Sequence, residues 1–239
     1  MPRFFVENAS SDEMILTGEN ARHIGRSLRM RVGESLTVCC DGTDFECEIT
    51  AFSDSEVFCK VVSIHPSVGE PQTALTLFQA MPKGDKAELI VQKAVELGAY
   101  EVCFVMTERC ISRPDEKSFK KRLERLNKIA LEAAKQCGRG RVPKVSGIIS
   151  LGELAGRLPE FDKALMCYEK GGISLSAAGL AQGQTVALLI GSEGGFEQRE
   201  ADSFEAAGGA LIGLGSRILR CETAPLAAIS IIMHLAGEM

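Results

Sequence analysis

The sequence predicts an α/β protein in which a small β unit precedes a larger domain with a mainly parallel sheet. Three observations favour this fold class. Short strand-like runs separated by turn residues fill the chain up to residue 64. The segment HPSVGEPQT at 65–73, with two prolines and a glycine, has the composition of a linker. Beyond it, continuous apolar runs alternate with helical patterns, which is typical of parallel strands joined by helices. The 239 residues suffice for two domains, and we expect them at 1–70 and 71–239.

The first domain is expected to be a small β-barrel interrupted by one short helix. Its strand-like stretch, residues 34–64, contains the turn sequences DGTD at 41–44 and SDSE at 53–56. The preceding segment ENARHIGRSLRM, residues 19–30, predicts a short helix or a helical turn.

The larger domain starts with a buried strand, ALTLFQAM at 74–81, and then an amphipathic helix. Asp85 and Glu88 have the spacing of a capping box at the start of this helix, and Gly98 suits its end. The segment 117–138 predicts a long helix with one apolar stripe.

Four further buried strands are predicted in this domain, and Ser150 with Glu153 predicts a second capping box. Alternating strands and helices indicate a parallel sheet with helices on both faces. The strands are the apolar runs EVCFVMTE at 101–108, KALMCY at 163–168, TVALLI at 185–190 and GALIGL at 209–214.

The charge is unevenly distributed along the chain. The net charge is −5, but residues 113–144 hold 11 basic and 4 acidic residues, whereas residues 1–70 hold 6 basic and 12 acidic ones. A smaller island, 22–31, carries four arginines and no acid. This pattern indicates a focused anionic partner; solvated helix surface is an equally good explanation from charge alone.

Nine cysteines occur without a C-x-x-C pair, and the three histidines are scattered. We therefore expect reduced thiols that pack as small apolar side chains, no disulfide framework and no metal site. No apolar run is long enough for a membrane span, and the N-terminus lacks the layout of a signal peptide. These features predict a cytoplasmic protein without a membrane partner.

Three loops that follow predicted strands are the candidate ligand site, because ligands of open α/β sheets bind at the carboxyl ends of strands. They are YEKGG at 168–172, GSEGGFEQRE at 191–200 and GSRILRCETAP at 215–225. The second loop lacks G-x-G-x-x-G and G-x-x-x-x-G-K-[ST], which argues against a dinucleotide or P-loop enzyme. Glu193 among its glycines suits a ligand with positive charge; a tight turn with no ligand is the simpler explanation of this loop by itself.

The third loop combines glycines, apolar residues and two cations. Ile218 and Leu219 either fill a gap in the core or form the wall of a flat apolar ligand site. Arg217 and Arg220 need partners if they are buried, and Glu222 or a nucleic-acid phosphate would provide them. Thr223 and Pro225 suit the first turn of the last helix.

Together, LIGSEGGFEQRE and LGSRILRCETAPLAA resemble the ribosomal RNA small-subunit methyltransferase E family, SPOUT-class enzymes that methylate N3 of a uridine in 16S ribosomal RNA. Three further regions resemble the same family over nearly the whole chain. They are RFFV and HIGRSLRMRVGE in its PUA-like barrel, KGDKAELIVQKAVELGA with TERC, and EAAKQCGRGRVP in its catalytic domain. Ser192 stands where the family usually has proline, and Glu197 where it has a small hydroxyl residue.

The resemblance implies that S-adenosylmethionine (SAM) binds in a trefoil-knotted SPOUT domain following an RNA-binding PUA-like barrel. The three loops would form the knot, with backbone groups around adenine and ribose and Glu169 near the methionine end. The implied cofactor-binding residues are Glu169, Ile190, Gly191, Glu193, Gly194, Gly195, Phe196, Leu214, Gly215, Ser216, Ile218 and Leu219.

The resemblance also assigns candidates for catalysis and RNA binding. Arg220 or Arg139 would favour the uridine anion, and Glu193 is a candidate base. The partner would be 16S ribosomal RNA or the small ribosomal subunit, and a homodimer is implied. The apolar face of 226–238 would form its interface or pack within one subunit. The candidate RNA-binding residues are Arg3, Arg26, Arg29, Arg31, Lys117, Lys121, Arg125, Arg139 and Arg141.

Two other functions fit parts of this sequence. A non-catalytic RNA-binding or ribosome-assembly factor on the same scaffold would explain the basic islands but not the two glycine loops. A nucleotide-dependent enzyme of Rossmann type is disfavoured by the missing phosphate fingerprint.

Overall fold

The computed structural model describes residues 1–239, which form two compact units. The first comprises residues 1–70 and 134–142, and the second residues 71–133 and 143–239. The predicted division also falls at residue 70, but the segment 134–142 groups with the first unit and not with the larger one. No helix has both the length and the apolar character that crossing a bilayer requires.

The first unit contains a five-stranded sheet in the order β1-β3-β4-β5-β2, in which only the β1–β3 pair is parallel. Its inward side chains, among them Phe4, Leu16 and Val38, form a single apolar core. The predicted short helix is confirmed as α1 (Gly18–Arg22), which continues into a π-helical turn. The strands are β1 (Arg3–Phe5), β2 (Glu13–Thr17), β3 (Ser35–Cys40), β4 (Thr43–Phe52) and β5 (Glu56–Pro66).

The first half of the predicted linker is not a linker but an ordered part of this unit. Strand β5 runs through Pro66, and buried Ser67 donates its hydroxyl to Asp44 Oδ1 at 2.6 Å. A Cβ atom on Gly69 would lie 2.5 Å from the Gly138 carbonyl oxygen. Gly69 therefore allows two backbone segments to pack closely, and it does not mark a flexible linker.

The second unit is built on a seven-stranded sheet that is parallel throughout, in the order β10-β12-β9-β11-β6-β7-β8. This confirms the predicted fold class. Two strands are missing from the prediction: β8 is a half-buried edge strand without a continuous apolar run, and β10 has only two residues. The strands are β6 (Ala74–Ala80), β7 (Glu101–Met106), β8 (Lys144–Ser150), β9 (Lys163–Cys167), β10 (Ile173–Ser174), β11 (Thr185–Ile190) and β12 (Ala210–Gly213).

Helices cover both faces of this sheet, as parallel sheets require. Phe78 of β6 packs in one core with Leu154 and Phe204, which belong to α4 and α5. On β7, Phe104 makes an edge-to-face contact with Phe119 of α3. The helices are α2 (Lys86–Glu96), α3 (Glu116–Cys137), α4 (Leu151–Arg157), α5 (Gln198–Ala206) and α6 (Thr223–Leu235).

The two predicted capping boxes have different outcomes. Ser150 and Glu153 form one at the start of α4. Asp85 makes no capping hydrogen bond, because its φ of −91° and ψ of 4° depart from the extended geometry of an N-cap. Glu88 instead pairs with Arg125 at 2.8 Å. The predicted box at α2 is therefore wrong.

Candidate functional site

The three predicted loops lie side by side at the carboxyl ends of β9, β11 and β12, which are neighbours in the sheet. They enclose a cavity of about 650 Å³, within the usual range for small-molecule sites. Every predicted cofactor-binding residue lines this cavity, from Glu169 to Leu219, and so does Arg220. The three loops lie together because neighbouring parallel strands end at the same edge of the sheet.

Glycines in the second loop, 191–197, allow other chain segments to approach it closely. Gly195 has a φ of +65°, and a Cβ atom there would lie 3.0 Å from the Glu169 carboxylate oxygens. A Cβ atom on Gly194 would lie 2.8 Å from Cβ of Arg109. These positions need glycine for space, and Gly195 also needs it for its backbone conformation.

Two buried polar side chains fix the ends of this loop. Gln79 donates from Nε2 to the Gly191 carbonyl at 3.2 Å. Glu200 accepts the main-chain N–H of Glu197 at 2.8 Å and that of Glu108 at 2.9 Å. The loop therefore enters from β11 and leaves into α5 at fixed points.

Arg109 joins the first two loops, a role that sequence patterns do not indicate. Its Nε donates to Glu197 at 2.9 Å and its Nη1 donates to the Gly194 carbonyl at 3.0 Å. Nη1 also lies 4.0 Å from the Glu169 carboxylate. The signal in the sequence is the TERC block, which contains Arg109 but gives no partner.

Lys86, the first residue of α2, joins the second and third loops. Its ammonium lies 2.9 Å from Glu193 Oε1 and 3.1 Å from Glu222 Oε2. The Cys221 thiol lies 3.6 Å from the same ammonium and donates to Glu222. We call Lys86, Glu193 and Glu222 the loop clasp.

Contacts in the loop clasp shift the pKa values of its members and of the neighbouring Cys221. Hydrogen bonds to Glu193 and then Glu222 raise the pKa of Lys86. Burial alone would raise the pKa of Glu193, but hydrogen bonds led by that from Lys86 outweigh it, so this pKa is lowered. Burial, followed by the bond to Glu222, raises the pKa of Cys221 to about 12. At neutral pH the clasp therefore holds one ammonium between two carboxylates, beside a protonated thiol.

In the third loop, 215–225, the exposure of Ile218 and the partner of Glu222 differ from the expectation. Ile218 is 84% exposed, so it does not fill a gap in the core. Glu222 pairs with Lys86 and not with Arg217 or Arg220, which corrects the predicted pairing. Arg220 is exposed and forms no ion pair, while its carbonyl accepts the N–H groups of Thr223 and Ala224 at the start of α6.

Arg139 lies in the first unit and does not line the cavity. Only 3% of its surface is exposed, and its guanidinium binds both carboxylate oxygens of Glu70, at 2.7 and 2.9 Å. Glu70 also accepts the N–H groups of Gly140 and Arg141. The structure thus buries Arg139 against a partner outside the cavity, which favours a structural role, and its catalytic and RNA-binding roles stay predictions.

The other predicted RNA-binding residues fall into two groups. Arg3, Arg125 and Arg141 pair with Asp44, Glu88 and Asp41, respectively. The remaining residues are exposed, and Arg29 has a φ of +55°. This second group comprises Arg26, Arg29, Arg31, Lys117 and Lys121.

Two family models match this chain. Residues 69–233 match an RNA methyltransferase domain, and residues 16–62 match an RNA methyltransferase PUA domain. The second match covers most of the five-stranded sheet, and the first covers the seven-stranded sheet with all three loops.

Similar proteins have been named or solved in several bacteria. The ribosomal RNA small subunit methyltransferase E of Bacillus subtilis is 36% identical, covering 98% of this chain and 96% of its own. The crystal structure of the Neisseria gonorrhoeae protein of that name, bound to S-adenosyl methionine, has a TM-score of 0.86 at 32% identity and covers 99% of this chain and 98% of its own. A methyltransferase structure from Legionella pneumophila with bound SAM has a TM-score of 0.85 at 28% identity, covering 98% and 97%.

Proposed function

Because this chain belongs to the ribosomal RNA small subunit methyltransferase E family, we propose that it methylates N3 of a uridine in 16S ribosomal RNA, with SAM as the methyl donor. The observation that carries the proposal is the cavity enclosed by the three loops in a chain whose solved relatives bind SAM. The relatives support SAM as the methyl donor and ribosomal RNA as the substrate class. The position of methylation, N3 of a uridine, needs an experiment.

The cavity residues fit SAM in shape and in charge. Gly194 and Gly195 permit close backbone approach, while Phe196, Leu214 and Leu219 offer apolar surface for adenine. The carboxylates of Glu169 and Glu193 line the same cavity and suit the amine and sulfonium groups. When bound, SAM supplies an activated methyl group.

Arg220 is the residue we assign to the uridine. Neutral N3–H is a weak nucleophile, so the enzyme must stabilise the N3 anion or remove its proton. Arg220 lines the cavity, is exposed and pairs with no carboxylate of the chain. Its guanidinium is therefore free to stabilise the negative charge that develops on the base.

Glu193 is better suited to hold the loops than to act as the base. Its lowered pKa makes it a weaker proton acceptor, and its carboxylate already binds Lys86 and the Lys83 N–H. We therefore place Glu193 with the cofactor and the loop clasp.

The exposed cations are the proposed contacts for ribosomal RNA. In the first unit they are Arg26, Arg29 and Arg31, and in the second Lys117 and Lys121. None of these residues pairs with a carboxylate of the chain, which leaves each available to a phosphate. We expect the affinity for RNA to fall steeply with salt concentration.

We also propose a homodimer that uses the outer face of α6. The inner face, including Ile229 and Ile232, is buried within the subunit. On the outer face, Ile231 and Leu235 remain 42% and 37% exposed, and Ile218 nearby in sequence is exposed as well. Exposed apolar residues grouped on one helix favour a subunit contact. Ile231→Glu should halve the molar mass measured by light scattering.

Two measurements test the proposed reaction. Ribosomal RNA from cells that lack this protein should have lost one N3-methylated uridine, as read by mass spectrometry of digested RNA. Arg220→Ala should abolish methylation while calorimetry shows unchanged SAM affinity. Intact modification in the deletion strain, or SAM binding without any methylation by the wild type, would instead favour a non-catalytic RNA-binding factor.

A further inference from the structure

A second cavity, of about 360 Å³, opens along the same edge of the parallel sheet as the cofactor cavity. It lies at the carboxyl end of β7, between the first turns of α4 and α5. The first turn of α5 connects the two cavities: Gln198 accepts hydrogen bonds from Tyr168 and Lys170, which line the cofactor cavity, while Arg199 lines the second one. A ligand that extends out of the cofactor cavity along this edge would therefore meet the second cavity.

Four apolar residues line the second cavity, and we call them its floor. They are Met106, Leu151, Ala155 and Phe204. Phe204 and Leu151 also belong to the apolar core between the sheet, α4 and α5, so their positions are fixed by packing. A flat, mostly apolar group such as a nucleobase suits a surface of this kind.

An exposed cation, Arg113, also lines this cavity. Arg113 donates from Nη2 to the Thr107 and Glu108 carbonyls, at 3.2 and 3.0 Å, and pairs with no carboxylate. A guanidinium has five N–H donors in a fixed fork, so its Nε and Nη1 donors remain without a partner in the chain. Two carbonyls thus anchor a guanidinium whose other edge is available to a phosphate.

The second cation of the cavity is already neutralised. Arg199 pairs with the Glu108 carboxylate, and the Glu108 N–H is held by Glu200. These contacts keep the 107–109 segment against α5 and preserve the shape of the cavity. They also leave Arg113 as the one lining cation without an acidic partner.

We propose that the second cavity binds a nucleotide of the RNA substrate adjacent to the methylated uridine, with its base on the apolar floor and its phosphate on Arg113. This inference rests on the proposed function, because it names how the substrate of that reaction is held. Single-stranded RNA is recognised through splayed bases and phosphates of this kind.

Binding in this cavity is tested directly by NMR of the protein labelled with 13C-methyl methionine. Uridine 5′-monophosphate at millimolar concentration should shift the Met106 methyl signal, and uridine without phosphate should shift it less. Met233, buried on α6, serves as the internal reference. Arg113→Ala should remove the advantage of the phosphate, and Ala155→Phe, which fills the floor, should abolish the shift. An unmoved Met106 signal in the wild type would overturn the proposal.

Kinetics on unmethylated small ribosomal subunits provide the second test. Arg113→Ala should raise KM for subunits about tenfold and leave kcat and SAM affinity nearly unchanged. Lys144→Ala is the matched control, because it removes an exposed cation from the opposite end of neighbouring β8. Equal KM values in the two variants would refute the nucleotide site. A wild-type enzyme that methylates no subunits would refute the proposed function instead, while the Met106 signal still reports on the cavity.

Discussion

Two ion-pair clusters, one in each unit, both join a basic side chain to glutamate but differ in their surroundings. In the Arg139–Glu70 pair the arginine is almost entirely buried, and Glu70 accepts two further main-chain N–H groups. The loop clasp around Lys86 is partly exposed, with its side chains 21–30% accessible, and Lys86 and Glu193 line a ligand cavity. The clearest difference is the burial of the cation, because Arg139 is 3% exposed whereas Lys86, at the candidate site, is 30% exposed.

Basic residues in a motif are therefore a poor guide to function. Arg139 and Arg220 both lie in regions that resemble family signatures, and both are candidates for contacting the uridine. Only Arg220 is exposed, without an acidic partner and at the cavity. In the first unit, the pair between Arg139 and Glu70 fixes the segment 138–141. In the second unit, Arg220 forms no ion pair.

The largest expected effect comes from breaking the buried pair. Arg139→Ala removes the buried cation of the pair and leaves the Glu70 carboxylate, whose side chain is only 16% exposed, without it. This should lower the free energy of unfolding by about 3 kcal/mol. Urea denaturation followed by circular dichroism measures this loss. Lys144→Ala, an exposed change, should cost less than about 0.5 kcal/mol. An equal loss in both variants would contradict a structural role for Arg139.

Breaking the loop clasp should affect the ligand more than the fold. Lys86→Met leaves Glu193 and Glu222 facing each other without the ammonium between them, so the two loops should separate. We expect SAM affinity to fall about tenfold, which corresponds to about 1.4 kcal/mol. Calorimetry measures this change. Lys83→Met is the control, because Lys83 is exposed and only its main-chain N–H reaches Glu193. The assignment fails if both variants bind SAM like the wild type.

Local patterns predicted most of the fold and the position of the site. Apolar runs and helical periodicity are properties of neighbouring residues, so β6, β9, β11, β12 and the buried face of α2 follow from the sequence. The rule that loops after parallel strands meet at one edge then predicted that the three glycine-containing loops would enclose one cavity. Half-buried β8 gives only a weak pattern because it is an edge strand.

The side-chain partners within the site could not be predicted in the same way. Lys86 and Glu193 are 107 positions apart, Arg109 and Glu197 are 88 apart, and Arg139 and Glu70 are 69 apart. Contacts over such separations depend on the whole topology and leave no periodic trace in the chain. For this reason, the sequence alone did not distinguish the buried Arg139 from the exposed Arg220.

Arg29 is an exposed arginine of the first unit, in contrast to the buried Arg139. Arg29 follows the π-helical turn with a φ of +55°, a conformation that costs a side-chain-bearing residue about 1 kcal/mol relative to glycine. Arg29→Gly should therefore raise the free energy of unfolding slightly while weakening RNA binding. Arg29→Ala should weaken RNA binding equally without the gain in stability. Fluorescence anisotropy with labelled RNA and urea denaturation give the two values. Unchanged RNA affinity in both variants would remove Arg29 from the RNA-binding surface.

The smallest expected effect concerns acid pH and the loop clasp. The pKa values of Glu193 and Glu222 lie below the ordinary 4.5, so their stabilising contribution is complete above that value and is lost as the pH falls through their lowered values in the folded protein. Without Lys86 the pKa of Glu193 should rise toward 4.5; that of Glu222 should rise less, because its main-chain hydrogen bond and the bond from Cys221 lower it more than Lys86 does. The stability difference between wild type and Lys86→Met should therefore be constant from pH 7 to about pH 5 and shrink below about pH 4.5. Urea denaturation at each pH measures the difference. A difference that stays constant through pH 4 would mean that the ammonium does not act through these carboxylates, and the clasp would then be no more than a packing contact.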